Sequence, residues 1–482
     1  MIDIRKNILS GIFYTAVSRY SNIVAGIFIG AVLARLLTPE EFGVVAIISV
    51  FISFFNLLSN FGISPAIVQH KSLTESDVSS IFSFSILLGL LLSAVFFFAA
   101  PFIASFYNEP VLINLSRLMA LAILFNSLQV VPNALNLKKL RFKEIGIVRV
   151  VVNVVSGIIA IILAYLGFSY YALVINSILT GFLIFIIFYI MAPVKPSYRL
   201  KINPVRKIAR FSIFQFFFNF INYFSRNADN LLIGKYFSPS ALGFYDKSYR
   251  LMMMPVQNLT FVITPVLHPV LSNYQNDTKV IFNAYYKIVK LLAIIGFPLS
   301  VFLYFNASEI IHIVYGPQWE QSIPVFKLLA LTVGVQIVLS STGSIFQATN
   351  RTDLMFYAGL IGAFLLVGGI VYGVFIGKSL VSVGYGLLVT FSLNFFVGFY
   401  LLIVKSLQES FINFLKVFVF PLILSLSLGL ALWIISEFII KSLIISFIIK
   451  SGLSVIIYIS VLMSSKENWV FVKEYIVKVF RR

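Results

Sequence analysis

An arginine inside an apolar run is costly, and this chain has one early. Arg19 lies about a dozen residues into a stretch long enough to cross a bilayer, near mid-membrane at about 1.5 Å of rise per residue. A charge there costs several kcal/mol unless it faces water or a partner. Thr15, Ala16, Asn22 and Ile23 are its neighbours one turn away, so no carboxylate on the same helix neutralises it. Thr15, Arg19, Asn22 and Gly26 step by four, three and four, which aligns them on one face. A guanidinium donates two parallel hydrogen bonds to phosphate, so this face offers anion recognition in a wet recess. The bland alternative is a salt bridge to another helix.

A second polar set follows about 200 residues later. Gln215, Asn219, Asn222 and Arg226 form a stripe that continues to Asp229. Other stripes lie at Ser49, Ser53, Asn56 and Asn60, and at Asp246, Arg250, Gln257, Thr260 and Thr264. Polar residues this deep must face protein or water. Paired across the chain, they predict a cavity lined by Arg19, Asn22, Asn56, Asn219, Asn222, Arg226, Arg250 and Gln257. The alternative is that they only join helices to one another. Asp229 and Asp246, each one turn from an arginine, are candidates for a gate, for a neutral charge network, or for ligands to a coupling Na⁺ or H⁺. Arg117 and Lys327 suit snorkelling to the interface. Arg149, Lys287 and Lys290, near helix ends, suit snorkelling or substrate arrival.

The elements that position these residues are helices in lipid. The 482 residues are 60% hydrophobic and 11% charged, against about 25% charged for a soluble domain. Runs of about 20 apolar residues recur, fourteen in all, the first over 10–33 and the last over 443–463. Lipid offers backbone groups no partner, so an all-α integral membrane protein follows. The net charge of +19 would suggest nucleic acid in a soluble chain. Here, with the amino terminus in the cytoplasm, the outer loops hold only Arg35, Lys235, Lys378 and Lys441, and the other loop cations fall inside. Both termini are then cytoplasmic, and the basic stretch from Lys466 to Arg482 lies against anionic lipid headgroups.

The chain also repeats itself. Arg35, Thr38, Pro39 and Gly43 are matched by Lys235, Ser238, Pro239 and Gly243. The register holds at Asp77/Asp277 and, after an insertion of ten residues, at Arg117/Lys327 and Arg141/Arg351. A repeat of this length in an apolar chain marks a transporter of two halves. The expected organisation is a six-helix lobe over 1–193, a basic cytoplasmic linker over 194–210, a second six-helix lobe over 211–404, and two added helices with a basic tail over 405–482.

Enzymatic chemistry finds little support. There are no cysteines and only three histidines, scattered at 70, 268 and 312. No phosphate-binding Gly-x-x-x-x-Gly-Lys-Ser/Thr run occurs, no carboxylate cluster has metal-ligand spacing, and no cofactor is expected. No loop is long enough to house a glycosyltransferase domain. The first apolar run is too long for a signal peptide.

The run from Ser225 to Thr260, with its Asp229-Asn-Leu-Leu-Ile-Gly234 and Leu242-Gly-Phe-Tyr245 pieces, and Pro269-Val-Leu-Ser272 beyond it, resembles bacterial polysaccharide exporters. The nearest are the colanic-acid and teichuronic-acid exporter group of Wzx-type flippases, in the superfamily of the lipid II flippase and the multidrug–cation antiporters. The resemblance covers nearly the whole chain. It implies two six-helix lobes around a cationic cavity, with Arg19 and Arg250 where arginines line the cavity of related flippases. It further implies a bacterial cytoplasmic-membrane protein that flips an undecaprenyl-diphosphate-linked oligosaccharide to the outer leaflet. The lipid-linked substrate, membrane lipids and other polysaccharide-assembly proteins are the expected partners, and nucleic acid is not. His268 departs from the group, where a larger apolar residue is expected. A drug–cation antiporter and a membrane glycosyltransferase or polymerase are the alternatives. The net positive set of buried charges weighs against the first, and the missing outer domain against the second.

Overall fold

A computed structural model describes residues 2–60, 63–69, 73–197, 223–224, 226–275, 277–438 and 442–480. Asn219, Asn222, the linker from 198 to 210 and most of the expected seventh span, 208–233, lie outside these residues. Twelve helices among the described residues are long and apolar enough to cross a membrane. The expected eighth span, 242–267, falls within Pro239–Leu271, a helix that carries Asp246, Lys247 and Arg250 and is not one of the twelve.

Two compact units divide the chain, Met1–Gly243 and Phe244–Arg482. The first holds α1 (Ile2–Leu36), α2 (Pro39–Asn60), α3 (Glu75–Tyr107), α4 (Val111–Leu128), α5 (Phe142–Tyr165) and α6 (Tyr170–Met191). Residues 226–236 are helical and belong to it as well. At its end begins α7 (Pro239–Leu271), which runs on into the second unit. That unit continues with α8 (Thr278–Phe305), α9 (Ser322–Leu339), α10 (Thr352–Val371), α11 (Leu380–Tyr400), α12 (Val419–Ser436), α13 (Leu443–Ser464) and α14 (Lys466–Phe480).

Packing repeats as the sequence does. In the first unit α3 packs on α4, α4 on α6 and α5 on α6; in the second α8 packs on α9, α9 on α11 and α10 on α11. Residues matched by sequence do matched work at helix ends. Thr38 and Glu41 exchange hydrogen bonds at the start of α2, Glu41 N donating to Thr38 Oγ1 at 3.3 Å and Thr38 N to Glu41 Oε2 at 2.6 Å. Ser238 Oγ accepts from Ala241 N at 3.1 Å at the start of α7. Each such bond satisfies an amide that the first helical turn leaves free, and the proline after it suits the first helical position. Asp77 completes a capping box with Thr74 at α3, and Asp277 itself caps α8 by accepting from Val280 N at 3.1 Å.

Two arginines tie other helix ends. Leu140 and Asn350 both take positive φ, 55° each, and the residue after each is an arginine. Arg141 Nη1 donates to the Met191 carbonyl at 2.6 Å, and Arg351 Nη1 to the Lys405 carbonyl at 3.1 Å. Each cation thus meets the carbonyl end of the last helix of its repeat, where the helix dipole is negative.

The first turns of α2 and α7 touch backbone to backbone. A Cβ on Gly43 would lie 1.7 Å from the Pro239 carbonyl oxygen, and one on Gly243 2.0 Å from that of Pro39. Any side chain at either position would push the turns apart, which accounts for the matched glycines.

Outside the helix contacts the surface is apolar. Phe98, Phe102 and Leu426 are 72%, 78% and 71% exposed. Such a surface is stable only where hydrocarbon replaces water. Beyond the last span, α14 lies against α8, α12 and α13 through Val472, Ile294, Leu424 and Leu462. Lys290 Nζ lies 2.9 Å from Glu467 Oε1, and this hydrogen bond holds the Glu467 carboxyl below the ordinary glutamate range.

Candidate functional site

The structure divides the candidate residues between the two units. In the first, Arg19 and Asn22 are half-buried on α1. The helix carrying them is fixed against α5 on both sides of the arginine. Ser18 Oγ donates to the Gly146 carbonyl at 3.3 Å, and Asn153 Nδ2 donates to Asn22 Oδ1 at 3.2 Å. Asn22 Nδ2 in turn donates to the Ser18 carbonyl at 3.0 Å. Asn22 therefore joins two helices. Asn153 was not legible as its partner, because nothing in the sequence relates positions 131 residues apart.

Asn56 is half-buried on α2, and its Oδ1 is buried without a hydrogen-bond partner among the described residues. Arg226 is exposed, whereas Asp229 is 2% exposed and its Oδ1 accepts from Asn230 N at 2.8 Å. The segment holding them is anchored at both ends: Tyr223 Oη donates to the Val50 carbonyl, and Lys235 Nζ to that of Phe106.

The second unit brings two candidates together. Arg250 Nε donates to Asp246 Oδ2 at 2.7 Å, one turn apart on α7. The arginine side chain is 62% exposed and the carboxylate 12%. Using Nε for this bond orients the guanidinium and leaves its Nη1–Nη2 edge turned away from the carboxylate. That edge is the two-pronged donor that fits a phosphate or carboxylate. Gln257, two turns further along α7, is exposed. Lys247 is buried behind the pair, with Nζ 5.2 Å from the Tyr315 ring centroid and 5.8 Å from that of Trp319. Aromatic faces stabilise a desolvated ammonium by about 2 kcal/mol or more. Sequence reading missed Lys247, although three charges within five residues of an apolar helix were a signal.

A second charged cluster in this unit was also missed. Lys450 Nζ lies 2.5 Å from Glu309 Oε1 and 3.2 Å from the Phe305 carbonyl, and Ser446 Oγ donates to the same carboxylate at 2.7 Å. The cluster holds α13 against the short helix Ala307–Val314. Lys450 was its only sequence signal, a lone cation inside an apolar run.

Arg117 and Lys327, expected to snorkel, both lie over aromatic rings of the preceding helix, Phe97 at 5.1 Å and Tyr304 at 5.6 Å. Among the described residues no group of three or more His, Asp or Glu side chains could hold a metal ion.

Two matched helical repeats in an apolar chain, with an oriented guanidinium inside the second, define a multi-pass membrane transporter fold. The chain belongs to the polysaccharide biosynthesis protein family, which it matches over residues 32–324. It is 26% identical over 435 residues to the teichuronic acid biosynthesis protein TuaB of Bacillus subtilis (strain 168), covering 89% of each chain. It is 25% identical over 439 residues to the lipopolysaccharide biosynthesis protein WzxC of Escherichia coli (strain K12), covering 88% of this chain and 87% of that one. Its fold is similar to that of the lipid II flippase MurJ in an inward closed conformation, with a TM-score of 0.74 at 16% identity over 93% of this chain and 98% of that one.

Proposed function

We propose that this chain is a flippase that carries a diphosphate-linked oligosaccharide from the cytoplasmic to the outer leaflet, for assembly of a surface polysaccharide. A diphosphate bearing several sugars cannot cross hydrocarbon unaided, because each charge costs several kcal/mol there. The observation that carries this reading is the Arg250 fork, oriented by Asp246 at 2.7 Å inside a long helix. The chain around it is similar over almost nine-tenths of its length to a protein named for teichuronic acid biosynthesis. Arg19, Asn22, Asn56, Asn219, Asn222, Arg226, Arg250 and Gln257 line the path in this reading, with arginines for phosphates and amides for sugars. The lobes 1–193 and 211–404 alternate access to it, and the polyprenyl tail stays in lipid. Asp229 is the candidate for a coupling Na⁺ or H⁺. Asp246, already paired with Arg250, is a poor acceptor for a cationic drug, which disfavours the antiporter alternative.

Transport is tested by reconstituting the purified protein in liposomes that carry an undecaprenyl-diphosphate oligosaccharide in both leaflets. Glycan accessible to an impermeant glycosidase should rise above the outer leaflet's share with time. An accessible fraction equal to that of protein-free liposomes would exclude the reading.

The bias of basic residues orients the chain with both termini and the 194–210 linker in the cytoplasm. Single cysteines can be introduced without background, since the chain has none. On intact cells an impermeant thiol reagent should label Ser238→Cys and not Ser197→Cys. The reverse pattern overturns the orientation.

A further inference from the structure

The two repeats share the helix pairings and the arginine that ties the last helix of each, yet they differ sharply beside that arginine. At the offset of 210 residues that pairs Arg141 with Arg351, Lys139 is replaced by Thr349, Lys143 by Asp353 and Arg149 by Gly359. Asn133, whose Oδ1 accepts from Arg149 Nη2 at 3.5 Å, is replaced by Gly343. The fold needs the arginine at 141 and 351, because each bonds a helix-end carbonyl. It does not need the other three cations. Nothing described lies within 4 Å of where a Cβ would stand on Gly343 or Gly359, so the second repeat has room for such side chains and lacks them. Its remaining cation, Arg351, is held by Asp353 through two hydrogen bonds at 3.0 and 2.9 Å.

The first-unit cations are arranged to be reached. Lys139, Lys143 and Arg149 are exposed, and Lys143 Nζ stands 5.4 Å from the centroid of Tyr14 on α1. Arg149, two turns into α5, reaches Asn133 on the helix Val130–Lys138. Basic residues at cytoplasmic helix ends are common to membrane proteins, and that rule alone would serve both repeats. It does not explain why Lys143 and Arg149 stand on α5, with Lys139 just before it, in one repeat and have no cationic counterpart in the other.

We propose that Lys139, Lys143 and Arg149, with Asn133, form the docking site where the diphosphate of the lipid-linked substrate first leaves the cytoplasmic leaflet. The inference rests on the flippase reading and adds to it the point of arrival. Bulk anionic phospholipid would meet the lysines at the surface; a diphosphate on its way inward also meets Arg149 and the amide beyond it.

The test is binding of undecaprenyl diphosphate to the purified full chain by native mass spectrometry, with phosphatidylglycerol as the comparison lipid. The Lys139→Gln, Lys143→Gln, Arg149→Gln triple variant should bind the diphosphate at least about tenfold more weakly, as expected for lost charge-assisted bonds. A variant with Lys279, Lys405 and Lys416 changed to Gln should stay within about twofold, since it removes equal charge from the other unit and leaves the proposed docking residues intact. Arg149→Lys alone should keep most of the affinity, which separates lost charge from lost folding. Unchanged diphosphate binding by the triple variant overturns the docking site. Equal losses for diphosphate and phosphatidylglycerol overturn it too, by making the surface a general lipid contact. No diphosphate binding by the unaltered chain would instead remove the flippase reading on which it rests.

Discussion

Arg19→Ala should abolish glycan export while leaving the protein at near-normal level in the membrane. Arg19 leaves α1 between two contacts to α5, the Ser18–Gly146 bond at 3.3 Å and the Asn22–Asn153 bond at 3.2 Å. Neither uses the Arg19 side chain, so both bonds can form without it. A charged hydrogen bond contributes about 1.5–3 kcal/mol, and two parallel ones to a diphosphate set the expected loss at tenfold or more. Arg19→Lys should restore export only in part, because an ammonium keeps the charge and loses the fork. The measurement is surface polysaccharide in a deletion strain complemented with each variant, normalised to protein level. Full export by Arg19→Ala at normal expression removes Arg19 from the path. A level that collapses for Ala and recovers for Lys would mark the charge as structural.

What was legible in the sequence is what local chemistry writes there. Thr38-Pro39 and Ser238-Pro239 read as matched turns because capping needs a hydroxyl just before the helix, and both serve that purpose. Arg141 and Arg351 read as a matched pair, and each holds the end of a helix. The spans read as helices because lipid permits nothing else. The partners across helices were not legible. Asn22 meets Asn153, and Glu309 meets Lys450 at a separation of 141 residues. Those pairings depend on helix rotation and tilt, which a stripe of amides leaves open. Gln215, Asn219 and Asn222, three of the four residues of the stripe they form with Arg226, lie outside the described residues. The stripes identified which faces are polar, and the structure shows that one of them, at Asn22, also joins helices.

The buried pair in the second unit carries the largest effect on stability. Glu309 is 5% exposed and Lys450 8%, and the pair is closed at 2.5 Å. Two charges removed from water lose solvation that their mutual attraction only partly returns, so the pair as a whole adds little. Breaking it is different. Lys450→Met leaves a buried carboxylate with Ser446 as its remaining described side-chain donor, at a cost of about 3–5 kcal/mol. Its Oε2 already has no hydrogen-bond partner among the described residues, which raises the cost of losing the ammonium. Thermal unfolding in detergent should therefore show Lys450→Met melting well below the unaltered protein. The Glu309→Leu, Lys450→Met double variant should recover most of the loss, because neither charge remains and Ser446 can turn its hydroxyl to the carbonyl one turn back. The same double variant should keep transport, since the cluster ties α13 to the helix Ala307–Val314 and its bonds use none of the arginines proposed to hold substrate. A single variant as stable as the unaltered chain would show that the pair does not hold α13. A double variant no better than the single would show instead that the site needs its hydrogen bonds and not merely neutrality.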